Sequence, residues 1–131
     1  MNDLPSERAV VPVGYQRWLP EKPKVVVLCG STRFMEAFHD AGWEETLKGN
    51  IVLSVGVVTT SSASHAGEAL GSDTVEMLDE LHWRKIDLAD EVLVLNVDGY
   101  IGYSTRREIE YAEKIGKPIR YLIAAAIGDT G

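Results

Sequence analysis

Four short apolar runs punctuate the chain, and amphipathic stretches separate them. The runs are Lys24–Cys29, Ile51–Val58, Glu91–Asn96 and Ile119–Ala124. The first and third are unbroken by polar residues in their interiors, which predicts strands buried on both faces, as in a parallel sheet. Between the first two runs, Phe34, Phe38, Ala41 and Leu47 recur at helical spacing over Arg33–Lys48, and Gly49-Asn50 follows as a stop signal. A second helix is predicted to begin near Asp73 or Thr74, with Val75, Leu78, Leu81, Ile86 and Leu88 as its apolar face. A third spans about Thr105–Ile115, with Ile109, Ala112 and Ile115 on one side, and Gly116-Lys117-Pro118 closes it. Strands alternating with helices imply an α/β fold with right-handed crossovers and a mostly parallel sheet of four to five strands.

The flanks read differently. Residues 1–23 hold four of the five prolines and no periodicity, which predicts an irregular arm that Tyr15 and Trp18 pin to the body or to another subunit. Residues 24–127 form the single domain, and 128–131 a frayed tail. The Ser-, Gly- and Ala-rich connection Thr59–Ser72 is long for a compact domain, and connections of that kind are functional or mobile.

Composition narrows the partners. The 131 residues carry a formal net charge of −7, so bulk charge does not hold a nucleic-acid backbone. The one cysteine, Cys29, excludes an internal disulfide and reads as core within its strand. No apolar leader pattern opens the chain and no apolar stretch is long enough for a bilayer, so a cytoplasmic protein without a membrane partner is expected.

In a parallel sheet, ligands bind outside the carboxyl ends of the strands. Three loops are expected there: Gly30–Arg33, Thr59–Ser72 and Val97–Thr105. In the first, Gly30 lets backbone approach a ligand, Ser31 and Thr32 supply hydroxyls and Arg33 a cation at a helix N-terminus, a combination that favours a small anion. The alternative is that Gly30 makes a turn, Ser31 or Thr32 caps the helix and Arg33 is solvated. Asn96 and Gly102, at the end of the third strand and in the loop beyond it, join these as substrate-binding candidates. Glu108 has two readings as well. A carboxylate there is placed to attack a sugar's anomeric carbon, whereas Thr105-Arg106-Arg107-Glu108 also fits a capping box. His82 is a candidate acid or base, with Asp79, Asp87 and Asp90 near it in sequence; each also has a structural reading. Arg106 and Arg107 at a helix N-terminus imply an anion or acidic partner for at least one of them. His39 and His65 lack ligand-spaced partners, so no metal and no cofactor is expected. Walker A, dinucleotide-glycine and Gly-x-Ser-x-Gly patterns are absent.

Taken in order, Leu28-Cys29-Gly30-Ser31-Thr32-Arg33, Ala89-Asp90-Glu91-Val92-Leu93-Val94-Leu95 and Glu108-Ile109-Glu110-Tyr111-Ala112 with Gly116-Lys117-Pro118 resemble the nucleoside 2-deoxyribosyltransferase superfamily, which includes the nucleotide N-glycoside hydrolases. The resemblance covers about residues 24–123. It implies a Rossmann-like three-layer α/β/α fold and a homodimer or homotetramer whose pockets borrow residues from a neighbour. It also implies cleavage of the N-glycosidic bond of a nucleoside or nucleoside 5′-monophosphate. The family's nucleophilic glutamate corresponds to Glu108. Its glycine-serine-arginine loop corresponds to Gly30, Ser31 and Arg33, and Ser104 is a further phosphate candidate. The family's helix aspartate before the third strand falls near His82 instead, leaving the acid role to His82, to a flanking residue such as Asp87, or lost, in which case the chain is a nucleotide-binding module.

Overall fold

The computed structural model describes residues 18–19, 21–56 and 71–124. The expectations for Tyr15, for His65 in the 59–72 connection and for the frayed tail lie outside the described residues.

Strand β1, Val25–Cys29, is a run of β-branched and apolar residues whose last four are buried. Ser31 Oγ then accepts from the Arg33 N–H at 3.2 Å, and the Ser31 carbonyl from the Phe34 N–H at 3.0 Å. These bonds wind Thr32–Phe34 into a 3₁₀ turn, so helix α1 starts at Met35 and runs Met35–Leu47 rather than from Arg33. Strand β2, Ile51–Leu53, is shorter than its apolar run. Helix α2, Ser72–Leu88, leads to β3, Glu91–Val94, then a 3₁₀ turn at Val97–Gly99, helix α3, Tyr103–Lys114, and β4, Ile119–Tyr121.

All four strands are parallel in the order β2-β1-β3-β4, with Val26 beside Val52, Val27 beside Val92 and Val94 beside Tyr121. Strand alternation sorts the core into two layers. Val26, Leu28, Leu93 and Leu95 pack with Phe38 and Ala41 of α1. Val27, Cys29, Val92 and Val94 pack with Ile86 of α2 and with Ile109 and Ala112 of α3. The sheet therefore lies between α1 on one face and α2 with α3 on the other, as right-handed crossovers from a central β1 require. The small α/β Rossmann-like architecture expected from the sequence is present. The chain leaves β1 toward β2 and returns to β3 on the other side, the switch in strand order at whose carboxyl ends ligands bind in sheets of this kind.

Two apolar faces depart from expectation. Leu47 is exposed, and of the five apolar residues assigned to the second helix only Ile86 is buried; Val75, Leu78, Leu81 and Leu88 are all more than 40% exposed. Leu81 and Leu88 lie on a stripe about 100° round the helix from His82; for Val75 and Leu78, which share the His82–Ile86 stripe, the reason is length. The 17 residues of α2 reach about 25 Å, whereas the five of β1 span about 16 Å. The first half of α2 therefore overshoots the sheet.

Beyond the other end of the sheet, Arg120 joins two acids. Its Nη2 donates to Glu45 Oε1 at 3.1 Å and its Nε to Glu91 Oε2 at 2.8 Å. Glu45 is 2% exposed and also accepts from Asn50 and Lys48. Asp90, expected to turn the chain into the third strand, does so with its carboxylate accepting from the Val25 N–H at 2.9 Å.

Candidate active site

The loops after β1 and β3 meet. Gly30 passes so close to Leu95 that a Cβ would stand 3.1 Å from the Leu95 Cβ and 3.3 Å from its carbonyl oxygen. The Arg33 guanidinium lies 4.6 Å over the Tyr100 ring, and Phe34 meets the same ring edge-on. Ser31 is the cap of the 3₁₀ turn, Thr32 is exposed, and Gly102 caps α3 with its backbone beneath the Tyr100 hydroxyl. Ser104 is exposed on the first turn of α3. Asn96 is buried and fully engaged: its amide donates to the Ile123 carbonyl at 3.0 Å and accepts from the Ile123 N–H at 2.9 Å. It therefore ties down the chain after β4.

Glu108 is not a cap. Helix α3 begins three residues earlier than the capping box requires, so Glu108 sits on its second turn. There Thr105, Glu108, Ile109 and Ala112 form one stripe at i, i+3, i+4 and i+7, the face that packs on the sheet. Glu108 is a carboxylate within that stripe, its side chain 13% exposed. It faces Cys29, the last residue of β1, and His82, buried on α2. Cys29 Sγ lies 3.4 Å from His82 Nε2. His82 Nε2 lies 3.9 Å from Glu108 Oε1, too far for a hydrogen bond. Glu108 Oε1 is buried without a hydrogen-bond partner among the described residues.

Burial controls the charges here. It raises the Glu108 pKa from 4.5 to about 7, with the Cys29 hydrogen bond opposing and the nearby Asp79 charge adding to the rise. It lowers that of His82 from 6.5 to about 4; Lys85 adds to this, while a bond to the Leu28 carbonyl and the Asp79 charge oppose it. Burial, then Glu108, pushes the Cys29 thiol well up. At neutral pH the cluster is a thiol, a neutral imidazole and a carboxyl near half ionisation. The imidazole is thus not a charged proton donor at that pH, which weighs against His82 among the alternatives for the acid role.

The other candidates lie apart. Asp87 accepts from the Tyr111 hydroxyl at 2.5 Å, and its carbonyl from Lys117. It faces a groove of about 600 Å³ between α2 and α3, which Asp79 also lines. Trp83 stacks on Tyr111 there at 5.0 Å, and Arg107 lies 5.4 Å over Trp83 and 5.8 Å over Tyr103. Arg107 therefore lies over two aromatic faces; the expectation of an anion or acidic partner is for at least one of Arg106 and Arg107.

One member of the constellation, and its capacity to hold a metal, escaped sequence reasoning. Cys29 was assigned to the core, although the two-residue alternation of β1 places it on the Val27 face at the strand's carboxyl edge. The metal expectation considered only His39 and His65, whereas Cys29, His82 and Glu108 bring donor atoms within 4.8 Å of one another. Their wide separation along the chain hides that set from any spacing rule. Compared with protein-family models and with curated proteins, the chain has no significant match to either.

Proposed function

We propose that this chain cleaves the N-glycosidic bond of a nucleoside or nucleoside 5′-monophosphate, with Glu108 as nucleophile. The observation that carries this reading is the Glu108 carboxyl, buried beside the carboxyl end of β1 with Oε1 unpartnered among the described residues. In this mechanism a Glu108 carboxylate oxygen bonds to C1′ as the C1′–N bond breaks. The base leaves with the bonding electron pair and takes a proton from water. Water or a second base then displaces Glu108 from C1′, giving hydrolysis or 2-deoxyribosyl transfer. Gly30, Ser31, Thr32, Arg33 and Ser104 hold the sugar or its 5′-phosphate in this reading. His82, neutral beside the carboxyl, positions it.

The resemblance to the nucleoside 2-deoxyribosyltransferase superfamily supports the proposal, as does the apolar surface of α2 for an oligomer. No helix among the described residues is long and apolar enough to cross a membrane. A small-molecule ligand in a cytoplasmic homo-oligomer fits the whole. The neutral His82 favours one rival, a nucleotide-binding or sensor module without catalysis.

Chromatographic assay of base release from a panel of nucleosides and 5′-monophosphates, with and without an acceptor base, separates the two. Release by the wild type that Glu108→Ala abolishes is expected. Binding of a panel member with no release from any of them selects the module instead.

A further inference from the structure

We propose that Cys29 Sγ, His82 Nε2 and a carboxylate oxygen of Glu108 form a binding site for one zinc-class divalent cation. Three kinds of donor favoured by that ion converge from three separate elements: the end of β1, the middle of α2 and the second turn of α3. Tetrahedral coordination, with ~2.3 Å to sulfur and ~2.0–2.2 Å to nitrogen or oxygen, sets donor–donor separations of about 3.4–3.6 Å. The Sγ–Nε2 separation is 3.4 Å, the Nε2–Oε1 separation 3.9 Å, and no pair exceeds 4.8 Å. Side-chain rotation alone closes a gap of about 1 Å.

Three further observations point the same way. Glu108 Oε1 is a buried acceptor with no partner among the described residues, which a cation would satisfy. His82 Nε2, the nitrogen a ligating imidazole offers, faces both Cys29 Sγ and Glu108 Oε1. Finally, His82 and Glu108 keep 9% and 13% of their side chains accessible, so three protein donors leave a face open for water or a fourth ligand. Two charges flank the site. Asp79 favours the cation; Lys85 opposes it, though its ammonium is held by the Ser54 carbonyl. Binding displaces the Cys29 thiol proton to solvent and forms the sulfur–metal bond.

The consequence for activity rests on the glycosidase reading: a cation on Glu108 removes the nucleophile, so the site is inhibitory. Cation binding does not depend on that reading.

Cobalt(II) is the probe, titrated into the full-length protein after chelator treatment and followed by visible and near-ultraviolet absorption. One equivalent is expected to produce tetrahedral d–d bands and a sulfur-to-cobalt charge-transfer band, both erased by competing zinc(II). Cys29 is the chain's one cysteine, so the wild type alone is decisive: without a charge-transfer band the site does not exist. Cys29→Ser is expected to abolish the band, and His82→Ala to weaken binding at least about tenfold, with circular dichroism checking that each variant is folded. A band unaffected by His82→Ala and Glu108→Gln overturns this ligand set. Base release by the metal-free protein, suppressed by zinc(II), supports the inhibitory role; release that zinc(II) leaves unchanged overturns that role. Cobalt binding without any base release retains the site and rejects the glycosidase.

Discussion

His82 and Glu108 carry opposite proton debts that nearly cancel. Unfolded, His82 is charged and Glu108 ionised between about pH 4.5 and 6.5. Folded, His82 is neutral down to about 4 and Glu108 protonated up to about 7. Each state binds one proton over that window, so the pair contributes almost no pH slope in the metal-free protein. Single variants expose the halves. In His82→Gln, Glu108 remains: its raised pKa means stability falls as pH climbs from about 4.5 to 7. In Glu108→Gln, His82 remains: its lowered pKa means stability falls as pH drops from about 6.5 to 4. Each swing is on the order of 3 kcal/mol, measurable by urea unfolding across pH. The same carboxyl sets the activity profile. A nucleophile must be ionised, so kcat/KM is expected to rise through about pH 7 and level off above it; a fall over that range identifies Glu108 as an acid instead. Gly30 is a steric constraint of a different kind. A methyl group there meets Leu95 at 3.1 Å, so Gly30→Ala is expected to cost about 1–3 kcal/mol in thermal or denaturant unfolding, as β1 and β3 are pushed apart.

Helices and strands show where apolar pattern and burial part company. The run of β1 translates directly into a central strand, because a strand flanked on both sides and covered on both faces has no polar face to present. In α2 the same kind of pattern is half unused. Its C-terminal half carries His82 and Ile86 against the sheet, while Val75 and Leu78 on the same stripe stand clear of it. Helix packing needs something to pack on, and the strands end first. Amide hydrogen exchange is therefore expected to be fast before Leu81 and slow around Ile86, and equal protection along α2 contradicts this account. The glycine stops were legible because their reason is local. Gly116 has φ +77° with open space where a Cβ would go, so Gly116→Ala is expected to cost about 1–2 kcal/mol through backbone strain alone.

Among the described residues, the carboxyl end of the sheet holds Glu108 with its Oε1 unpartnered and the opposite end a paired carboxyl in Glu45. Burial raises the Glu45 pKa, but hydrogen bonds from Asn50, Lys48 and Arg120 outweigh it and leave the group below its usual range. Glu91 follows the same logic through Arg120 and Lys24. Stability from such depressed carboxylates is present above their unfolded range and lost as pH falls through the folded values. Glu45→Gln is expected to flatten the loss of melting temperature below about pH 4.5 while lowering stability near neutrality by about 2–3 kcal/mol, discounted because Arg120 is partly exposed. Assembly belongs here too. If the exposed apolar half of α2 is the oligomer contact, Leu81→Glu dissociates the wild-type assembly in sedimentation with little change in far-ultraviolet circular dichroism.

The α/β alternation, the buried central strands, the helix stops and the meeting of loops at the strands' carboxyl ends were all readable along the chain, because each follows from local periodicity, backbone preference or crossover handedness. The use made of particular side chains was not. Glu108 fits a cap until the start of α3 is known, Asn96 looks like a ligand group until Ile123 is seen to occupy it, and Asp87 looks catalytic until Tyr111 takes its carboxylate. Cys29, His82 and Glu108 become neighbours only when β1, α2 and α3 pack on one face of the sheet. Burial there, a property of the packed layers, sets their charges.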